Sequence, residues 1–303
     1  MSTVRAFMFH DVRDLNETKF PARYNLKSFL DKKEFNHQIN YINKKYKIIS
    51  SLDLPHINLD KGDVDYAVLT FDDGLVDHFY VHQQLKKLNV SGTFLIPTAP
   101  VVEQKMIHSH TIQFILAARD EKLLTKEILS SFEDASDLWM KYSHTNWIDN
   151  WWSKEMIFVT NFLRRHKSKT FDNYQYAEHL FQKYVSKDIH SFANDFYLNP
   201  NQIEEMSYNN MVIGGHGNSS DNLLLVEDIE ADIDKSHWFV GHFSDDFVFS
   251  YPNGGFSEEI KNTLKKYKCS LSYTVVPQTL TSLDTIDPLE FPRYDSPQRI
   301  TLK

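Results

Sequence analysis

Ala67-Val68-Leu69-Thr70-Phe71-Asp72-Asp73-Gly74 is a run of strand-forming residues that stops at two adjacent carboxylates and a glycine. A strand reads this way when it lies inside a parallel sheet, covered on both faces. Carboxylates at its end are costly unless they are paired or hold a cation. Neighbouring strand residues point to opposite faces, so Asp72 and Asp73 serve one site only if the strand breaks here, and Gly74 permits that break. One carboxylate would then bind a cation while the other takes a proton from water. A helix cap or an Asx-turn after a strand would use the same residues, and the segment alone leaves that alternative open.

Working outward, short apolar runs alternate with amphipathic segments. Val4–Phe9 reads as a strand, 32–45 as a helix with Phe35, Ile39 and Ile42 on one face, and 66–71 as the buried strand. Residues 78–88 read as a helix and 92–96 as a strand before Pro97. Strand and helix in alternation predict βα units around a parallel sheet. Residues 105–198 hold no glycine and no proline, and apolar residues recur there at helical spacing: Ile112, Ile115 and Leu116, then Trp152, Met156, Val159 and Leu163, then Tyr176, Leu180 and Tyr184. This stretch reads as an all-helical insertion within a single 1–303 domain, because the βα pattern resumes after it. Asn199-Pro200 offers a cap and a first-turn proline for a helix through Met206. Strands follow at 211–213, 247–250 and 271–276, with a helix at 257–268.

The 303 residues carry 33 Lys and Arg against 41 Asp and Glu, a formal charge of −8. That acidity argues against a nucleic-acid partner, because phosphate neutralisation calls for a basic surplus. Nine glycines, ten prolines and 41% hydrophobic residues exclude a disordered or collagen-like chain. The lone Cys269 forms no internal disulfide, and no run of 18 apolar residues predicts a membrane span. Arg5 interrupts the apolar start of the chain, so no signal peptide is expected, and the location read from the sequence is cytoplasmic. The 22 Phe, 15 Tyr and 5 Trp suit a carbohydrate-handling surface, although most of them read as core.

Three further segments carry candidate chemistry. Ile213-Gly214-Gly215-His216 places an imidazole at a strand end, where α/β folds hold ligand groups. Ser250-Tyr251-Pro252-Asn253-Gly254 is a strand-end turn, and Pro292-Arg293-Tyr294-Asp295 offers a cation for a carboxylate or for a surface salt bridge. The charge-rich segment 227–235 reads as a solvated helix face. No Gly-x-Gly-x-x-Gly, P-loop, Gly-x-Ser-x-Gly or His-Glu-x-x-His is present, which removes nicotinamide enzymes and serine hydrolases from the leading readings.

Together these segments resemble the polysaccharide deacetylases, the carbohydrate esterase family four superfamily, over most of 1–103 and 199–297. Thr70-Phe71-Asp72-Asp73-Gly74 matches the first catalytic motif completely. Phe9-His10-Asp11-Val12 is similar to the opening Tyr-His-x-Val element, and 201–216 to the helix and Ile-Gly-Ser-His approach to the metal. Residues 250–254 resemble a Tyr-Pro-Tyr-Gly variant of the third motif. His108-Ser109-His110-Thr111-Ile112-Gln113-Phe114 resembles a stretch of members with a helical insertion, many of them in surface-glycan pathways.

The resemblance implies a distorted (β/α) barrel of the polysaccharide deacetylase type, an α/β fold, here with an all-helical insertion. It implies hydrolysis of an N-acyl group, acetyl or formyl, from an amino sugar of a glycan precursor. Asp72 would be the general base, Asp73 and His216 ligands of a divalent metal such as zinc, and Tyr251 a neighbour of the acyl group. His10 and His110 would line the substrate site.

Two departures shape these expectations. The family's His-x-x-x-His metal motif has Ser220 in its second position, a neutral hydroxyl. That leaves the metal weaker, differently ligated or absent. Ser250 stands near the position where many members carry an arginine that orients the catalytic carboxylate, so Arg293 is expected to pair with Asp72 instead. No histidine near the C-terminus matches the family's general acid, and His10, His110 and His242 are the candidates. The rival readings are a catalytically silent relative that binds a sugar, and a metal-independent member that cleaves another C–N bond.

Overall fold

A computed structural model of the chain describes residues 1–26, 29–60, 62–144, 152–169 and 171–295. Residues 296–297 of the family-like span, and 145–151 and 170 of the helical stretch, lie outside the described residues. The chain divides into two compact units: Met1–Glu17 with Lys27–Lys105 and Ala193–Lys303, and Thr18–Leu26 with Met106–Phe192.

In the first unit the strands are β1 (Val4–Phe9), β2 (Asp11–Val12), β3 (Phe29–Leu30), β4 (Lys47–Ile48), β5 (Tyr66–Asp72), β6 (Thr93–Ile96), β7 (Val212–Gly215), β8 (Val248–Ser250), β9 (Leu271–Tyr273) and β10 (Arg293–Asp295). The main sheet runs β10-β1-β5-β6-β7-β8-β9, with β4 beside the start of β5, and every pairing in it is parallel. A parallel bridge from Tyr273 to Phe291 brings β9 against the segment before β10, so the sheet is a nearly closed barrel.

The period of two decides which strand residues face the barrel interior. Val4, Ala6, Val68, Leu95, Val212, Val248 and Leu271 form one buried cluster, and Ala6 lies in register with both Val68 and Arg293. Thr70 and Asp72 continue the Val68 face. Leu69 and Phe71 point the other way and pack with helix residues Phe35, Ile39, Val81 and Leu85. Phe71 stacks on Phe9 and Phe94, with ring centroids 5.2 and 4.8 Å away.

Helix signals agree with the observed elements. Asp31 caps Lys32–Lys45 by accepting the Glu34 N–H at 2.7 Å. Asn199 and Gln202 form a reciprocal capping box at the start of Pro200–Tyr208. Strand β9 ends at Tyr273, short of the expected 271–276, although the Thr274 N–H still donates to the Phe291 carbonyl and the Arg293 N–H to the Val276 carbonyl.

The second unit is helical, with helices His108–Ala118, Glu121–Ser130, Ala135–Tyr142, Lys154–Arg165 and Asn173–Tyr184. Phe114, Phe181 and Phe192 pack edge to face within it. No helix among the described residues is long and apolar enough to cross a membrane.

Candidate active site

Asp72 ends β5 on the interior face and is 2% exposed. Arg293, the first residue of β10, reaches it across β1. Its Nη1 and Nη2 donate to Asp72 Oδ1 and Oδ2 at 2.7 and 2.9 Å. The guanidinium is itself anchored: Nη1 also donates to Thr70 Oγ1 at 3.1 Å, and Nε donates to the Thr274 carbonyl at 3.0 Å. Burial pushes the Asp72 carboxyl up, but the Arg293 guanidinium outweighs it and holds the group below the usual carboxylate range. The carboxylate therefore stays ionised, with lone pairs to spare after the two guanidinium bonds. Thr70 was missed as a site residue, although its position two before Asp72 puts it on the same strand face.

The strand breaks one residue later. Asp73 has φ +77° and Gly74 φ +61°, so the chain turns through two left-handed residues. This turn brings the Asp73 side chain toward the end of β7, where His216 follows Gly215. Asp73 Oδ1 lies 3.6 Å from His216 Nε2 and accepts a hydrogen bond from Ser220 Oγ at 3.1 Å. On its other side, His216 Nδ1 is 3.1 Å from the Ser250 carbonyl and 2.6 Å from Ser250 Oγ. In the tautomer where Nδ1 donates to these oxygens, the Nε2 lone pair faces Asp73. Burial lowers the His216 pKa against the opposing pull of Asp72 and Asp73, keeping the ring neutral at pH 7. Ser250, known from the sequence only as a missing arginine, is thus the partner that orients His216.

Ser250 Oγ, His216 and Asp73 also have the connectivity of a serine hydrolase triad. Ser250 is fully buried, so no substrate reaches its hydroxyl. It is an orienting group and not a nucleophile.

The 3.6 Å between Asp73 Oδ1 and His216 Nε2 suits two donors of one cation with bonds of about 2 Å. A neutral Nε2 backed by a hydrogen bond at Nδ1 is the arrangement of a metal-ligating histidine. The residue at the second imidazole position does reach the site, since Ser220 (φ +60°) turns in through an irregular loop and its hydroxyl meets Asp73. Asp221 accepts from Ser219 Oγ instead. Among the described residues no three His, Cys, Asp or Glu side chains gather into a metal-holding group. The donor set thus fits a weakly held divalent cation: one carboxylate, one imidazole and a hydroxyl.

His10 follows β1 and is half-buried, close enough to Asp72 and His216 to act on the charge of each. Its carbonyl accepts from His78 Nε2 at 3.1 Å. Burial pushes the His78 pKa down to about 4, so this ring is a neutral donor wedged against Phe71 and Phe94.

Tyr251 differs from expectation. Its ring is fully buried and stacked on Phe256 at 5.1 Å, and its hydroxyl donates to the Leu289 carbonyl at 2.8 Å. The side chain is core and does not face an acyl group. His110 belongs to the helical unit, in His108–Ala118, and is buried there. His242 is exposed and bonds the Trp238 carbonyl, beyond the helix Ile229–Val240. His10 is the general-acid candidate whose charge bears on both Asp72 and His216.

These features define a parallel barrel with an ionised carboxylate, a second carboxylate and a neutral imidazole at the C-terminal ends of its strands. No protein-family model and no curated protein matches the chain. Solved structures do. A polysaccharide deacetylase from Bacillus cereus is 13% identical with a TM-score of 0.53, the match covering 97% of this chain and 65% of that one. PplD, a deacetylase from Streptococcus pyogenes determined with acetate, is 11% identical over 97% of this chain and 92% of that one, with a TM-score of 0.56. IcaB from Ammonifex degensii is 13% identical over the same shares, 97% and 92%, with a TM-score of 0.55. The chain has the fold of the polysaccharide deacetylases, and it spans about two thirds of the length of the Bacillus cereus protein.

Proposed function

We propose that this protein is a carbohydrate de-N-acylase, removing an acetyl or formyl group from an amino sugar of a surface-glycan precursor. The observation that carries the reading is Asp72, ionised by Arg293 and set beside Asp73, His216 and His10 at the rim where the fold's solved relatives are deacetylases.

In this reading Asp72 accepts a proton from the attacking water while the water oxygen bonds to the amide carbon. The C–N bond then breaks, and the leaving amine takes a proton, for which His10, in the same unit as Asp72 and His216 and acting on the charge of both, is the candidate donor. Asp73 and His216 would hold a divalent cation, which supplies polarisation of the acyl carbonyl and a lowered pKa for bound water. Arg293 fixes the direction of the Asp72 carboxylate, and Ser250 that of the His216 ring.

A second reading is favoured by the Ser220–Asp73 hydrogen bond, which uses a carboxylate oxygen that an additional imidazole ligand would leave free for the cation. There the site is metal-independent, or it binds a sugar without cleaving it. Purified protein incubated with a panel of N-acetylated and N-formylated sugars, with and without added divalent cations, separates the readings. Acetate or formate release that disappears in Asp72→Asn supports hydrolysis. Sugar binding with no release from the whole panel would favour the silent alternative.

A further inference from the structure

The charge-rich segment 227–235, expected to be a solvated helix face, turns one of its carboxylates inward. Asp232, on the helix Ile229–Val240, is 8% exposed, and its Oδ1 accepts the backbone N–H of Asn218 at 2.9 Å. Asn218 and Gly217 form the turn between His216 and Ser220. The opposite side of that turn is held by backbone: the Thr98 N–H donates to the Gly217 carbonyl at 3.2 Å, and the Ala99 N–H to the Asn218 carbonyl at 2.7 Å. Asp232 therefore faces the Thr98–Ala99 donors across the turn.

The fit is tight. Gly217 has φ +69°, and a Cβ there would stand 2.9 Å from Asp232 Oδ1. The residue before the turn supplies the imidazole and the residue after Ser219 supplies the hydroxyl that reaches Asp73. A rotation of the turn would move both. Burial raises the Asp232 carboxyl to about 6, helped by Asp221 and opposed by the Asn218 N–H and by Lys235. An acid kept in so costly a place, where an apolar residue would pack, points to a job for its oxygen.

We propose that Asp232 is a positioning residue whose buried oxygen holds the Gly217–Asn218 turn and so sets how His216 and Ser220 face Asp73. The proposal rests on the functional reading above only for its kinetic consequence; its geometric part stands on the contacts alone.

The test compares the full-length wild type with Asp232→Asn, which keeps an acceptor oxygen, and Asp232→Ala, which does not. Three readouts are taken at a temperature where all three proteins are folded: the His216 ring resonances in histidine-labelled protein, cobalt(II) affinity, and kcat and KM for any responsive acylated sugar. The expected result for Asp232→Ala is shifted or broadened His216 resonances, cobalt binding weakened by about 10–100-fold and a matching fall in kcat with KM little changed, the usual cost of losing a partner behind a ligand. Asp232→Asn should restore all three. The proposal is overturned if Asp232→Ala lowers only the melting temperature, or if Asp232→Asn behaves like Asp232→Ala. A wild type that hydrolyses nothing would sink the functional reading, and the His216 resonances would still decide the role of Asp232.

Discussion

Arg293 and Asp72 meet as a two-point pair, Nη1 to Oδ1 at 2.7 Å and Nη2 to Oδ2 at 2.9 Å, with the guanidinium fully buried and the carboxylate keeping a small exposed edge. The pair joins β10 to β5 across β1, so it binds the last strand of the barrel to the strand that carries the site. Two point contacts fix the carboxylate plane as well as its charge, which a lysine in the same place would not do.

Removing the cation should therefore be felt twice. Arg293→Ala leaves a buried, unpaired carboxylate and should lower stability by about 3–5 kcal/mol. The Asp72 pKa is depressed in the fold, so its contribution to stability is present above the ordinary carboxylate pKa and disappears as pH falls through the folded value. In the variant that contribution is gone, and the acid limb of kcat/KM should move to higher pH. Urea titration and a pH–rate profile read the two effects; an unmoved acid limb would disprove the orienting role of Arg293 toward Asp72.

At Ser220 the expected effect is on the cation. Ser220→His replaces a neutral hydroxyl with an imidazole at a position whose side chain already reaches Asp73. Zinc affinity, measured by titration calorimetry on metal-stripped protein, should rise by at least about tenfold. Affinity equal to that of the wild type would mean that the loop around Ser220 does not deliver a ligand.

His78 makes a pH prediction of opposite origin. Its folded pKa of about 4 lies below the ordinary 6.5, so the unfolded chain takes up the proton first. Stability is full above pH 6.5 and falls as the pH drops toward 4, by up to about 3 kcal/mol from this group. His78→Phe should flatten that part of the stability–pH curve while losing about 1 kcal/mol at pH 7 with the hydrogen bond to the His10 carbonyl. Denaturation midpoints between pH 4 and pH 8 provide the comparison.

Tyr251 separates core from site. Tyr251→Phe leaves the Leu289 carbonyl without its donor and should cost about 1–2 kcal/mol of stability. Because the hydroxyl faces away from the reacting groups, kcat and KM for any responsive substrate should stay within a factor of about two. A large fall in kcat at unchanged stability would return the hydroxyl to the site.

Legibility from the chain was uneven for identifiable reasons. The strand 66–71, the helix 32–45 and the cap at Asn199 were readable because apolar periodicity and capping chemistry are local. The Asp72–Arg293 pairing was implied by the family resemblance, with Arg293 in place of the arginine missing at Ser250, and is found as a contact between residues far apart in the chain. Tyr251 was misplaced because a strand-end aromatic looks the same whether its ring enters the core or the cleft. The inward turn of Asp232 was hidden, since a charged helix face shows no periodic sign of the one carboxylate that a neighbouring loop buries.

By itself the sequence determined the order of βα units, the helical character of the described residues within 105–198 and the presence of adjacent acids at a strand end. Those properties depend on residue type and spacing over a few turns or one strand. Only the tertiary structure decided which oxygen faces which nitrogen: Arg293 on Asp72, Ser250 behind His216, Ser220 on Asp73 and Asp232 under the turn between them. Barrel closure and two left-handed turns set those meetings, and both arise from packing among segments that the chain keeps far apart.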